Sequence, residues 1–159
     1  MENFLVTVKE TVNTATQPVG VNLLRGGALI EELKIKIRGK RLAICQQIAY
    51  SRMYSWSTWT DATTGHCAIG SACTGMIPPP ERILDGTVNT GVYQKTGEAA
   101  AAMQLMMPRV EPGVAGVLTY PLARPFSGIN PDLVVIYVNS AQAMRFVQAF
   151  LYHQGGEFV

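Results

Sequence analysis

Proline and glycine cut this chain into short pieces, and that punctuation limits its fold more than any other feature. Pro18, Gly39, Pro78-Pro79-Pro80 and Pro108 fall between stretches of regular hydrophobic spacing. Proline lacks a backbone donor and its ring collides with the preceding turn, so neither a helix nor a central strand continues through it. The strongly apolar runs are correspondingly brief. Leu133 to Val138, one of the longest, is far below the ~18 residues that cross a bilayer. The opening MENFLVTVKETV has no basic region followed by an apolar one, so it does not read as a signal peptide. Membrane-spanning and secreted classes are set aside, and a reducing cytoplasm is the expected setting.

Within these limits the spacing predicts one α+β domain over residues 1–159, its sheet mixed or antiparallel. An amphipathic helix is expected over 2–14, through Leu5, Val8 and Val12. A strand follows at Val19 to Leu24. Lys34-Ile-Lys-Ile-Arg38 alternates strictly and reads as an edge or half-exposed strand, with Ile35 and Ile37 on one face. Lys40 to Tyr54 reads as a helix whose apolar face is Leu42, Cys45, Ala49 and Met53. Pro80 opens a short helix to Leu84, and Asp85-Gly86 ends it. Thr96 caps a helix over about 97–107 that Pro108 stops. Gly113 to Tyr120 reads as a strand, and Pro131 to Val138 as a strand at the sheet centre. Asn139 or Ser140 caps a last helix to about His153, buried through Met144, Val147 and Leu151.

Composition narrows the class further. Only 15% of the residues are charged and 48% are hydrophobic, against about 25% charged in a typical soluble domain. That balance excludes disorder and suggests a surface partly covered by subunits or a ligand. A net charge of +2 does not by itself imply nucleic acid. Five of the 13 basic residues lie within eight positions, at Lys34, Lys36, Arg38, Lys40 and Arg41. They read as a solvated edge or as an anion site. Tyr50, Tyr54, Trp56 and Trp59 show no stacking pattern in the sequence, so nucleic acid is disfavoured.

The three cysteines are the main chemical candidates. An odd number gives no complete disulfide framework, and no Cys-x-x-Cys pair is present. Each reads either as a small buried hydrophobe or as a thiolate ligand. Cys45 and Cys67 would then hold an iron–sulfur cluster or another soft metal, with Cys73 or His66 as further ligands. Along one helix Cys67 and Cys73 would sit roughly 120° apart, so both face one metal only if a glycine breaks the helix. Gly65, Ala68, Gly70, Ser71, Ala72 and Gly75 allow close approach of either a neighbouring helix or a bulky cofactor. Gly70 with Arg38, Lys40 and Arg41 forms the candidate cofactor or anion site. A hydrolase is hard to assemble, since no Ser/His/Asp set or paired carboxylates stand out.

Lys40 to Ala49, Cys67-Ala-Ile-Gly70 and Pro131 to Ala149, with Pro18 to Leu24 as an opening strand, resemble the domain of unknown function 169 family, also called ArCR. The resemblance runs from about 18 to 156. It implies recurring cysteines at the positions of Cys45 and Cys67 and leaves Cys73 unmatched. It also implies that members continue beyond the end of this chain, so a fragment or shortened member is expected. The family supplies no activity. Two expectations stand: a cytoplasmic protein of anaerobic-type metabolism binding a cluster or metal through Cys45 and Cys67, or a homo-oligomeric assembly module with structural cysteines and helix 97–107 at its interface. A small acidic metabolite at Arg38, Lys40 and Arg41 is a third reading with no acid/base pair behind it.

Overall fold

In a computed structural model, which describes residues 12–26, 30–31 and 33–154, β1 (Val19–Leu24) and β3 (Gly116–Pro121) form the centre of an antiparallel sheet. All six residues of β3 are buried, as are the first four of β1. β2 (Thr58–Asp61) pairs with β3 on one side, and β4 (Leu133–Val135) pairs with β1 on the other, giving the order β2-β3-β1-β4. Helices α1 (Ile44–Tyr54), α2 (Ala68–Cys73), α3 (Glu81–Leu84), α4 (Gly97–Met106) and α5 (Ser140–Gln154) complete the α+β fold.

Both faces of the sheet are covered, by different means. On one face Leu118, Tyr120 and Trp59 pack with Ile30, which is helical, and with Leu122 and Ile129 from the turns after β3. Tyr120 lies directly opposite Gly20 in the β1–β3 register, and a Cβ on Gly20 would stand 2.7 Å from its ring. Glycine is what lets the aromatic ring cross the neighbouring strand. On the other face Val19, Val21 and Val117 pack with Met76 and Val114, joined by Ile44 and Ile48 of α1.

The contact of α1 with this second face is polar where it is deepest. Gln47 and Ser51, one turn apart, are both 0% exposed, as are Thr58, Thr60 and Thr119 of the sheet. Gln47 Nε2 donates to Thr60 Oγ1 at 2.5 Å, and Thr58 Oγ1 donates to Gln47 Oε1 at 2.9 Å. Thr119 Oγ1 lies 2.8 Å from both Thr58 Oγ1 and Ser51 Oγ. Thr58 gives its proton to Gln47 and Ser51 gives its own to the Trp56 carbonyl, so Thr119 is left as the donor, with Thr58, Ser51 and the Gln47 carbonyl all within its reach. Each of these side chains then has a hydrogen-bond partner, which is how buried polar groups avoid their desolvation cost.

Several sequence expectations need correction. The buried face of α1 is Ile44, Gln47, Ile48 and Ser51, whereas Cys45 is exposed and Met53 is 59% exposed. Leu42 is buried, but it precedes the helix, which begins after Ala43. Residues 34–38 keep their alternating exposure but form only one bridge, Ile37 with Thr58. The Lys36 N–H turns to Ser57 Oγ instead of a ladder partner. The Leu133–Val135 strand is an edge of three residues, with Leu133 57% exposed. Its apolar run misled because apolar content indicates burial without saying which side is covered. Met144 is likewise exposed, with Val147 and Leu151 half-buried.

The remaining boundaries follow local chemistry. The Thr96 side chain accepts from Ala99 N–H at the start of α4, and Gly86, at φ 82°, turns the chain after α3. Asn139 Oδ1 accepts from Gln142 N–H while Gln142 Oε1 accepts from Asn139 N–H, a reciprocal cap for α5. Gln142 Nε2 also donates to the carbonyls of Val12 and Asn13, anchoring the start of α5. The helix expected over 2–14 falls for the most part outside the described residues. No helix among those described is long and apolar enough to cross a membrane.

The seam makes a direct prediction. Gln47→Leu removes the partner of Thr58 and Thr60 without emptying the site, and it should lower the unfolding free energy by about 2–4 kcal/mol. Urea unfolding monitored by tryptophan fluorescence measures it; a change below about 0.5 kcal/mol would show that the seam contributes no net stability.

Candidate functional site

Backbone pairing sets the segments that lead into Cys45 and Cys67 beside each other. Residues 37–42 run parallel beside β2 and the turn after it, bridged at Ile37–Thr58 and again at Leu42–Gly65. The Leu42 N–H donates to the Thr64 carbonyl, and the His66 N–H donates to the Leu42 carbonyl, both at 3.1 Å. The starts of α1 and α2 are thereby set side by side. Cys45 is the second residue of α1 and Cys67 the residue that caps α2.

The turn before Cys67 is clamped by one carboxylate. Asp61 Oδ1 accepts from the N–H and hydroxyl of both Thr63 and Thr64, at 2.7–3.0 Å. The Asp61 N–H donates to Thr64 Oγ1 in return. Partial burial pushes the Asp61 carboxyl up, but these four donors outweigh it and hold it below its usual value. Its role is to shape the chain leading into His66 and Cys67.

Cys67 is half-buried, and its sulfur accepts from the Gly70 N–H at 3.4 Å. A Cβ on Gly70 would lie 3.3 Å from Ile44 Cγ1 and 3.7 Å from Cys67 Sγ. The small residues of α2 are therefore used for close packing against the start of α1. Gly65 does the same toward Ser71, whose Oγ would lie 2.6 Å from an added Cβ. Cys73, half-buried, ends α2, and six residues of helix put it about 9 Å along the axis from Cys67. His66 is exposed, as are Arg38, Lys40 and Arg41 on the segment entering α1. All three cysteines are free thiols. Among the described residues, no three of His, Cys, Asp and Glu group closely enough to hold a metal ion.

The aromatics are more organised than their spacing suggests. Tyr50 stacks on Trp56 with ring centroids 5.8 Å apart and planes at 13°, and Tyr54 lies 5.0 Å from Trp56. The Lys36 ammonium stands 5.9 Å from the Trp56 ring, and Arg52 lies 4.0 Å over Tyr137. The four-residue interval between Tyr50 and Tyr54 is the available sequence signal; the return of Trp56 onto them depends on the turn through Ser55, at φ 57°.

The Asp61 clamp carries a signed pH prediction. Its carboxylate is favoured by folding, so its stabilisation is complete above the ordinary value of 3.8 and is lost as pH falls through the lower folded value. Asp61→Asn should be less stable than the native protein at pH 7, by no more than about 1 kcal/mol for so solvated a group. The gap should close below pH 4, as read from urea midpoints; a gap independent of pH would remove the carboxylate from this role.

Comparison with known proteins places these features in a family. An uncharacterized protein of Methanocaldococcus jannaschii, MJ0308, is 30% identical over 117 residues, covering 72% of this chain and 49% of the relative. The chain thus spans about half the length of that curated relative. No solved structure matches it. The model of the domain of unknown function 169 family, described as uncharacterised ArCR, matches residues 7–159. The chain belongs to the domain of unknown function 169 family.

Proposed function

We propose that the protein binds an iron–sulfur cluster or another soft metal through the thiolates of Cys45 and Cys67, with the remaining ligands contributed by a second copy of the chain. The observation that carries this reading is the Leu42–Gly65 bridge, which sets the two cysteine-bearing helix starts side by side. Cys45 is exposed and Cys67 half-buried, so both sulfurs remain reachable. An N–H bond to sulfur, as from Gly70 to Cys67, stabilises a thiolate and tunes a cluster. Arg38, Lys40 and Arg41 on the adjoining segment offset the negative charge of thiolate ligation. Two cysteines do not complete a tetrahedral soft-metal site, hence the second copy. A reducing compartment such as the cytoplasm keeps these thiols available.

Anaerobic purification followed by iron, sulfide and zinc analysis tests the proposal. About one metal site per two chains is expected, with dimerisation dependent on metal. Cys45→Ser or Cys67→Ser should abolish loading, while Cys73→Ser should retain it. Protein that stays metal-free after reconstitution, or a Cys45→Ser/Cys67→Ser double variant that still loads, would reject it.

A second reading has its own support. Leu105 and Met106 of α4 are 76% and 84% exposed, an apolar surface suited to a homo-oligomer with purely structural cysteines. Light scattering separates the two: oligomers that persist in chelator and in the double cysteine variant favour this one, and a metal-free monomer counts against it.

A further inference from the structure

A separate concavity lies between α2, α4 and the chain that joins α3 to α4. It has a volume of about 360 Å³ and is lined by Ile69, Asn89, Tyr93, Met103, Gln104 and Met107. That size falls at the lower end of the range for small-molecule sites. No charged residue lines it, and two methionines supply walls that adapt to irregular shapes. Gln94 Nε2 lies 3.8 Å from Met103 Sδ and helps to place that side chain.

Asn89 is the unusual member. It is 1% exposed, and its carbonyl accepts the N–H groups of Val92, Tyr93 and Gln94, which fixes the turn around it. Its side-chain Nδ2, by contrast, is buried without a hydrogen-bond partner. Almost every buried amide donor in a folded protein is satisfied, and an orphan calls for an explanation. Here the orphan belongs to a residue that forms part of the cleft wall. The amide has no surface open to the cleft as the side chain stands, and rotation about the Asn89 side-chain bonds would bring it to a ligand's acceptor there.

The lining also restricts the ligand. Moving an ion into an uncharged, mostly apolar site leaves its charge uncompensated, so the acceptor should be neutral. We propose that this cleft binds a small, uncharged, largely apolar molecule with one carbonyl oxygen, of the ketone, ester or amide class, which accepts a hydrogen bond from Asn89 Nδ2. The flat face of an aromatic frame suits Tyr93 and the methionine sulfurs, since rings and thioethers attract. The site is independent of the cysteine thiols, whose chemistry it does not use.

The test titrates three probes of similar shape into protein labelled at the methionine methyls and asparagine side chains. They are acetophenone, ethylbenzene and benzoate. Acetophenone should shift the Met103 and Met107 methyls and the Asn89 amide saturably, binding at least fivefold more tightly than either of the others. Asn89→Leu should erase the preference for acetophenone over ethylbenzene. Should that variant fail to fold, Met107→Trp, which fills the cleft and keeps Asn89, should abolish the shifts. Three outcomes would overturn the proposal: no saturable shift, affinity for ethylbenzene or benzoate equal to that for acetophenone, or shifts that follow protein concentration instead of ligand.

Discussion

The buried seam of Gln47, Ser51, Thr58, Thr60 and Thr119 fixes where α1 lies on the sheet. Apolar side chains tolerate sliding, because burial is non-directional. A chain of hydrogen bonds in a dry interface does not, because displacement leaves several buried groups unpaired at once. Ile44 and Ile48 supply apolar contact beside it, while the seam selects the register. Once α1 is placed, its first turn must meet the segment that runs parallel to β2.

That placement sets up the cysteine region. The Leu42–Gly65 bridge, the Asp61 clamp and the close approach of Ile44 to Gly70 act on the same few residues. Each is local, and together they hold the starts of α1 and α2 side by side. Small residues in α2 serve this packing, which accounts for their density without a bound group. Cys45 is exposed and Cys67 half-buried, and neither belongs to the buried core.

How much was legible in the sequence depends on which kind of signal each element carries. The β1 strand, the caps at Thr96 and Asn139, the stop at Pro108 and the turn at Gly86 follow from backbone chemistry within a few residues, and all were readable. The α1 face was not. Hydrophobic periodicity pointed to Leu42, Cys45, Ala49 and Met53, but the helix buries glutamine and serine. Those residues are buried because threonines on two strands, one of them about seventy residues away, complete their hydrogen bonds. The apolar run at 133–138 carried the opposite error, since its strand lies at an edge with one side uncovered.

The sequence by itself determined the α+β class, the positions of most helix ends and the family, and it singled out Cys45 and Cys67. Those properties depend on local backbone preference and on recurring residue strings. Tertiary structure decided which face of α1 is buried, that Cys45 points outward, that Cys67 begins a helix adjoining α1, and that Asn89 lines a cleft with an unpartnered amide. The physical reason is that burial of a polar group depends on partners far away in the chain. No local pattern of residues encodes where those partners will be.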